Sequence, residues 1–195
     1  MHKRHFLASA GLAGLALSSA RAQAATAGGS GPVLLTVSGA LAKANRGAMD
    51  PVVDQMMGKH GLKFDKAWAF DSAAIQRLPA VTIKPTLEYD GKVHTLRGPL
   101  VETVLRAAGA PEAEGTKLGL RAVDGYNVEL TLADVRRYRM IIATHLDGHP
   151  MALGGLGPQW AVYDADRLDA FKDKPLKERF EKCPWGLYHI DVKTA

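Results

Sequence analysis

A single cysteine, Cys183, stands among 195 residues. One thiol cannot form an internal disulfide, so stability must come from packing even in an oxidising compartment. Paired-thiol motifs are excluded with it: there is no CxxC, and no HExxH or EF-hand loop replaces it. A GxSxG nucleophile elbow is missing as well. Aromatic residues make up only 7% of the chain, and no dense basic patch interleaves with them, which argues against a nucleic-acid surface. No run approaches the roughly 20 apolar residues that a membrane span requires.

What is present begins with "MHKRHFLASAGLAGLALSSARAQA", a basic start, a short apolar stretch and a small-residue pattern at Ala22-Gln23-Ala24. Residues 1–24 read as an export signal peptide, which implies a periplasmic destination. "KRHFL" resembles the twin-arginine motif with lysine in the first place, and an ordinary Sec signal stands beside it as the alternative. Without these residues the chain loses Lys3, Arg4 and Arg21, and the formal net charge falls from +5 to about +2. "ATAGGSGP", residues 25–32, has the composition of a flexible leader. Residues 33–195 then suffice for one domain with a full core.

"VLLTVSG" is a β-branched run suited to a first strand. Asp50-Pro51 predicts a helix start, with Val52, Val53, Met56 and Met57 on its apolar face. Asp71 or Ser72 predicts the cap of a second short helix that stops before Pro79. Three Asp-Gly pairs, Asp90-Gly91, Asp124-Gly125 and Asp147-Gly148, predict tight hairpin turns. Pro85 marks its strand as an edge or a bulge. "PLVETVLRAAG" predicts a helix opened by Pro99 and ended by Gly109, with Leu100, Val104, Ala107 and Ala108 on one face. Further strands are read in "RMIIATHL", "PQWAVYD" and "WGLYHIDVK", and a short helix in "LADVRRY". Short strands joined by hairpins, with short helices between them, give an α+β domain with a mixed, largely antiparallel sheet. His145 and His149 are separated by a turn, so helical metal-ligand spacing does not apply to them.

The ordered stretches "LTVSGAL", "NRGAMDP", "FDSAAIQRLPAVTI", "LRGPLVETVLRAAG", "AVDGYNVELTLADVRRYRMIIAT", "DGHPM" and "GPQWAVY" resemble the sulfite-oxidase-type (oxidoreductase) molybdopterin-binding domain, in its small exported branch. The resemblance implies an α+β fold whose loops cradle a pterin. It departs from the catalytic members at two places. Lys84-Pro85-Thr86 stands where they carry the molybdenum-ligating cysteine, and none of these residues is a soft ligand. Trp160 stands near the place of an anion-binding arginine. Cys183 lies about a hundred residues beyond the first motif and reads as a small hydrophobe in or near the core.

Loss of both groups makes the chain similar to the periplasmic PruR-type pterin-binding proteins. That implies a reduced pterin as ligand and, as partner, the periplasmic domain of a membrane sensor that makes or degrades cyclic di-GMP. The alternative is an oxidoreductase holding a molybdenum cofactor without a protein thiolate. Asp124 is the candidate carboxylate for the pterin's donor edge, with turn chemistry as its other reading. Tyr126 is its neighbour, and Trp160 is either a stacking face or core. Asn45 and Arg46 offer an amide and a cationic fork, while Gln159 and Thr86 are placed by the family pattern alone. "RRYR", residues 136–139, is either a phosphate site or a solvated helix end. No catalytic residue and no metal ligand is expected.

Overall fold

The computed structural model describes residues 31–195; the expected signal peptide and all but the last two leader residues lie outside this range. The chain runs through β1 (Val33–Gly39), α1 (Gln55–Lys59), β2 (Ala67–Asp71), α2 (Ser72–Gln76), β3 (Ala80–Ile83), β4 (Leu96–Pro99) and α3 (Val101–Ala108). It continues through β5 (Lys117–Ala122), β6 (Asn127–Thr131), α4 (Leu132–Arg137), β7 (Ile141–Ala143), β8 (His145–Leu146), β9 (His149–Pro150), β10 (Trp160–Val162) and β11 (Leu187–Lys193). Two single-turn 3-10 helices, Ala165–Arg167 and Leu176–Glu178, interrupt the approach to β11. No helix of the described residues is long and apolar enough to cross a membrane.

A five-stranded sheet has the order β2-β1-β11-β5-β6, a four-stranded sheet the order β3-β4-β8-β9, and β10 pairs with β7. The first and last strands, β1 and β11, are parallel, while every other pairing is antiparallel. This is the mixed α+β arrangement that the hairpin spacing predicted. Period-two alternation gives the large sheet one apolar face: Leu35, Val37, Leu118, Leu120 and Ile190 are at most 1% exposed. Its other face carries Thr36, Ser38 and His189, buried beneath the segment that contains α1.

The turn predictions hold where glycine's left-handed conformations are needed. Asp147 and Gly148 adopt φ of 49° and 82°, the pair of positive angles a two-residue hairpin demands. Gly109 closes α3 at φ 76°. Asp71 caps α2 by accepting the Ala74 N–H at 2.7 Å. β3 is an edge strand, and Pro85 lies just past its end.

Two helix expectations need correction. The helix expected from Asp50-Pro51 begins at Gln55, because the Asp50 carboxylate accepts the N–H groups of Val52 and Val53 at 2.7 and 3.0 Å and closes a turn first. Val52 and Val53 are consequently exposed, at 76% and 77%. Pro99 ends β4 rather than opening α3, Leu100 is the N-cap, and the buried face is Val101, Val104, Leu105 and Ala108.

Candidate functional site

The sheet ends bring three separate stretches to one cavity of about 190 Å³, lined by Glu88, Tyr89, Asp124, Tyr126, Cys183 and Trp185, with Ala122, Phe180, Glu181 and Pro184 completing the wall. The β5–β6 hairpin supplies Asp124 and Tyr126. Its turn is held by Tyr126 N–H donating to Asp124 Oδ1 at 2.9 Å, which leaves the other carboxylate oxygen uncommitted. The Tyr126 hydroxyl donates to the Glu181 carbonyl at 2.6 Å and so ties the hairpin to the segment before β11. Val123 N–H donates to the Gly186 carbonyl at 3.0 Å, a second tie. The loop after β3 supplies Glu88 and Tyr89.

Three of the nine large hydrophobic side chains that remain exposed among the described residues stand on this one cavity: Tyr89 at 56%, Tyr126 at 51% and Trp185 at 39%. Three carboxylates accompany them, and no lysine or arginine belongs to the wall. Desolvation, then the neighbouring Glu88 carboxylate, pushes the Tyr89 hydroxyl up to about 12, so it remains a donor at neutral pH. The rim therefore offers flat faces and hydrogen-bond acceptors.

Cys183 is where the sequence reading must be revised. It is buried at 4% exposure, as expected of a small hydrophobe, yet it also stands in the wall of the cavity that holds Asp124 and Tyr126. The hundred residues between it and the Lys84-Pro85-Thr86 stretch conceal that Glu88, in the same loop, acts on its thiol. Burial pushes that thiol up to about 12, hydrogen bonding to Tyr163 only partly opposing it. At neutral pH the group is held as a thiol. No group of three His, Cys, Asp or Glu side chains among the described residues is arranged to hold a metal ion.

The other residues singled out from sequence do not join this cavity. Trp160 is 1% exposed, packs against Phe180 at 5.9 Å and donates its indole N–H to the Cys183 carbonyl at 2.8 Å; no ring face is left for a ligand. Gln159 is fully buried, and its amide donates to the Leu34 and Leu187 carbonyls at 3.0 and 2.9 Å, joining β1 to β11. Asn45 makes a reciprocal pair with the Ala69 backbone at 2.6 and 2.8 Å. Arg46 pairs with Asp54 and lies over the Phe64 ring at 5.1 Å. Thr86 donates its backbone N–H to Asp166 at 2.7 Å. Of "RRYR", Arg136 is engaged by Glu102, Glu112 and Glu114 and Arg137 by Asp134, while Arg139 stays exposed.

Sequence reasoning missed Tyr89, Glu88 and Trp185. Their signal was proximity to Asp-Gly turns and to Cys183, which acquires meaning only when the three stretches meet. It also missed a polar cluster under the α1 segment, where His189 meets Ser38 at 2.9 Å and stacks with Phe64 at 6.3 Å. Burial, then the charges of Arg121 and Arg46, lowers the His189 imidazole to about 4, so it is neutral.

The arrangement aligns with the crystal structure of the sulfane dehydrogenase SoxCD from Paracoccus pantotrophus at a TM-score of 0.51 and 12% sequence identity. The fold is of the sulfite-oxidase type. The match covers 81% of this chain and only 37% of the other, so the sulfite-oxidase-type likeness speaks for the fold alone. No family model matches the sequence, nor does any curated protein.

A pterin suits the wall. Its amino-oxo edge presents adjacent donors to a carboxylate, and its ring presents two flat faces to aromatic side chains. The phosphate of molybdopterin suits it poorly: three carboxylates would face it with no cation in the wall. At about 190 Å³ the cavity is smaller than the roughly 300 Å³ at which drug-sized sites begin, which fits one ring system with its substituent pointing outward.

Proposed function

We propose that this chain is an exported, non-catalytic pterin-binding protein that takes a reduced, unphosphorylated pterin in the cavity beside Cys183. The observation that carries the reading is the convergence of three exposed aromatic side chains and three carboxylates on one cavity. Asp124 accepts the paired donors of the pterin edge, one on its uncommitted oxygen and one on the second lone pair of the Oδ1 that also takes the Tyr126 N–H. Tyr89, Tyr126 and Trp185 cover the ring, each stacked face being worth roughly 1 to 3 kcal/mol by analogy with nucleobases. Pterin occupancy would then be relayed to the periplasmic domain of a membrane-bound cyclic di-GMP enzyme.

Titration with tetrahydropterin tests the reading. Saturable quenching of tryptophan fluorescence that disappears in Trp185→Phe supports it, and no quenching at millimolar ligand contradicts it. The relay is tested separately by whether the partner's periplasmic domain binds the pterin-loaded chain better than the empty one.

A molybdenum-cofactor oxidoreductase is the second reading, favoured by the fold likeness and by the position of Cys183 in the cavity wall. In that case metal binding must displace a proton that burial holds on the thiol, or dispense with the thiol altogether. Stoichiometric molybdenum in the purified chain would decide for it.

A further inference from the structure

A second and larger cavity, of about 460 Å³, runs along the edge of β3 and is lined by Val81, Thr82, Ile83, Lys84, Arg139 and Arg167, with Tyr138, Asp164 and Leu168. A neighbouring cavity of about 380 Å³ shares Tyr138, Arg167 and Leu168 with it. Neither shares a residue with the cavity that holds Asp124.

The backbone of β3 is open on this side. Thr144 N–H donates to the Arg97 carbonyl at 2.9 Å and Asp147 N–H to the Thr95 carbonyl at 2.8 Å, so Thr95 and Arg97 face away from β3. Alternation leaves Leu96 and Gly98 to bond to β3, where their register partners are Ile83 and Val81. The N–H and C=O groups of Ala80 and Thr82 must then point outward. The Lys84 N–H confirms the direction: it points outward and meets Asp164 at 3.3 Å. No backbone partner for Ala80 or Thr82 exists on that side among the described residues.

Charge distinguishes this edge from a bare one. Lys84 and Arg139 are exposed and have no carboxylate partner among the described residues, while Arg167 is 82% exposed and only loosely held by Asp164 at 3.5 Å. The remaining Asp164 oxygen, Oδ1, is buried and accepts no hydrogen bond. An unpaired strand edge with three cations around an apolar groove is complementary to an extended chain bearing carboxylates.

We infer that the open edge of β3 is a docking site for an extended acidic segment of a partner protein, added as a fifth strand to the four-stranded sheet. Its backbone pairs with Ala80 and Thr82, its apolar side chains enter the groove over Val81 and Leu168, and its carboxylates meet Lys84, Arg139 and Arg167. This inference does not rest on the pterin reading, and either can fail without the other.

The experiment uses the full chain and a fluorescein-labelled hexapeptide of alternating glutamate and valine, with a lysine–valine hexapeptide as control. Fluorescence anisotropy should show the acidic peptide bound at least about tenfold more tightly than the basic one. Arg139→Glu combined with Arg167→Glu should reverse the preference. Thr82→Pro removes an outward N–H without touching the β3–β4 ladder and should weaken binding by about tenfold or more; slowed amide exchange at Ala80 and Thr82 upon peptide addition reports the same contact if that variant folds poorly. Equal affinity for both peptides overturns the inference, as does exchange unchanged at these two amides. Displacement of the peptide by low-millimolar inorganic phosphate would reassign the site to a small anion, and concentration-dependent self-association abolished by Thr82→Pro would reassign it to a second copy of this chain.

Discussion

Two neighbouring parts of the molecule both looked suited to a planar ligand, and they divide by what the fold has already claimed. At the start of β10, Gln159 and Trp160 offer an amide and an indole, but every face of the indole is packed and its N–H is spent on the Cys183 carbonyl. At the cavity rim, Asp124 and Tyr126 are anchored by the hydrogen bonds of their hairpin, and a carboxylate oxygen and the exposed rings of Tyr89, Tyr126 and Trp185 stay free. The same residue types thus serve as frame in one place and as rim in the other. Availability, not chemical type, separates them.

The largest effect that would sharpen this contrast is at Trp160. Trp160→Ala should cost about 3 to 5 kcal/mol of stability, measured by urea unfolding, because it empties core volume and orphans the Cys183 carbonyl. A loss of pterin binding with stability intact would instead move Trp160 to the rim and break the comparison.

His189 tests the frame by pH. Its folded value of about 4 lies below the roughly 6.5 of an unfolded imidazole, so the unfolded chain takes up the proton first as pH falls. Its contribution should be complete above about pH 6.5 and be lost progressively towards pH 4, a total on the order of 3 kcal/mol. Urea unfolding across that range should show the slope in the native chain and a flatter profile in His189→Gln.

At the rim, Asp124→Asn keeps the oxygen that closes the turn and removes the negative charge. Binding of tetrahydropterin should weaken by about 1.5 to 3 kcal/mol, the worth of a charged hydrogen bond, while the unfolding midpoint barely moves. A large fall in stability would return Asp124 to turn chemistry alone.

The smallest effect is expected on the surface at His94, whose imidazole is raised by hydrogen bonds to Asp147 at 2.6 Å and to Asp90 at 3.0 Å. The sign is opposite to that of His189: stabilisation is present below about pH 6.5 and is lost as pH rises through the higher folded value. Being partly exposed, the pair should contribute little, and His94→Gln should reduce stability slightly at pH 5.5 and hardly at all at pH 9.

Much of the frame is legible in the sequence. Local chemistry decided it: Asp147-Gly148 takes two positive φ angles, Gly109 ends its helix, Asp71 caps the next, and alternation in "VLLTVSG" and "WGLYHIDVK" gives buried strands. Asp50-Pro51 misled because a carboxylate that caps a helix also closes a turn, and here it takes the turn. The site was only half legible. Asp124 and Tyr126 announced themselves by the hairpin between them, but Tyr89 and Trp185 join them through long-range packing that no spacing encodes. The nearness of Cys183 to the loop after β3 was hidden for the same reason, since 94 residues of chain lie between it and Glu88.

The decisive measurement is of what the purified chain carries: release of bound ligand by denaturation, oxidation to the fluorescent pterin, and molybdenum determination on the same sample. About one pterin per chain with molybdenum far below stoichiometry is the expected result. One molybdenum per chain, or a protein that neither carries nor takes up any pterin, would contradict it.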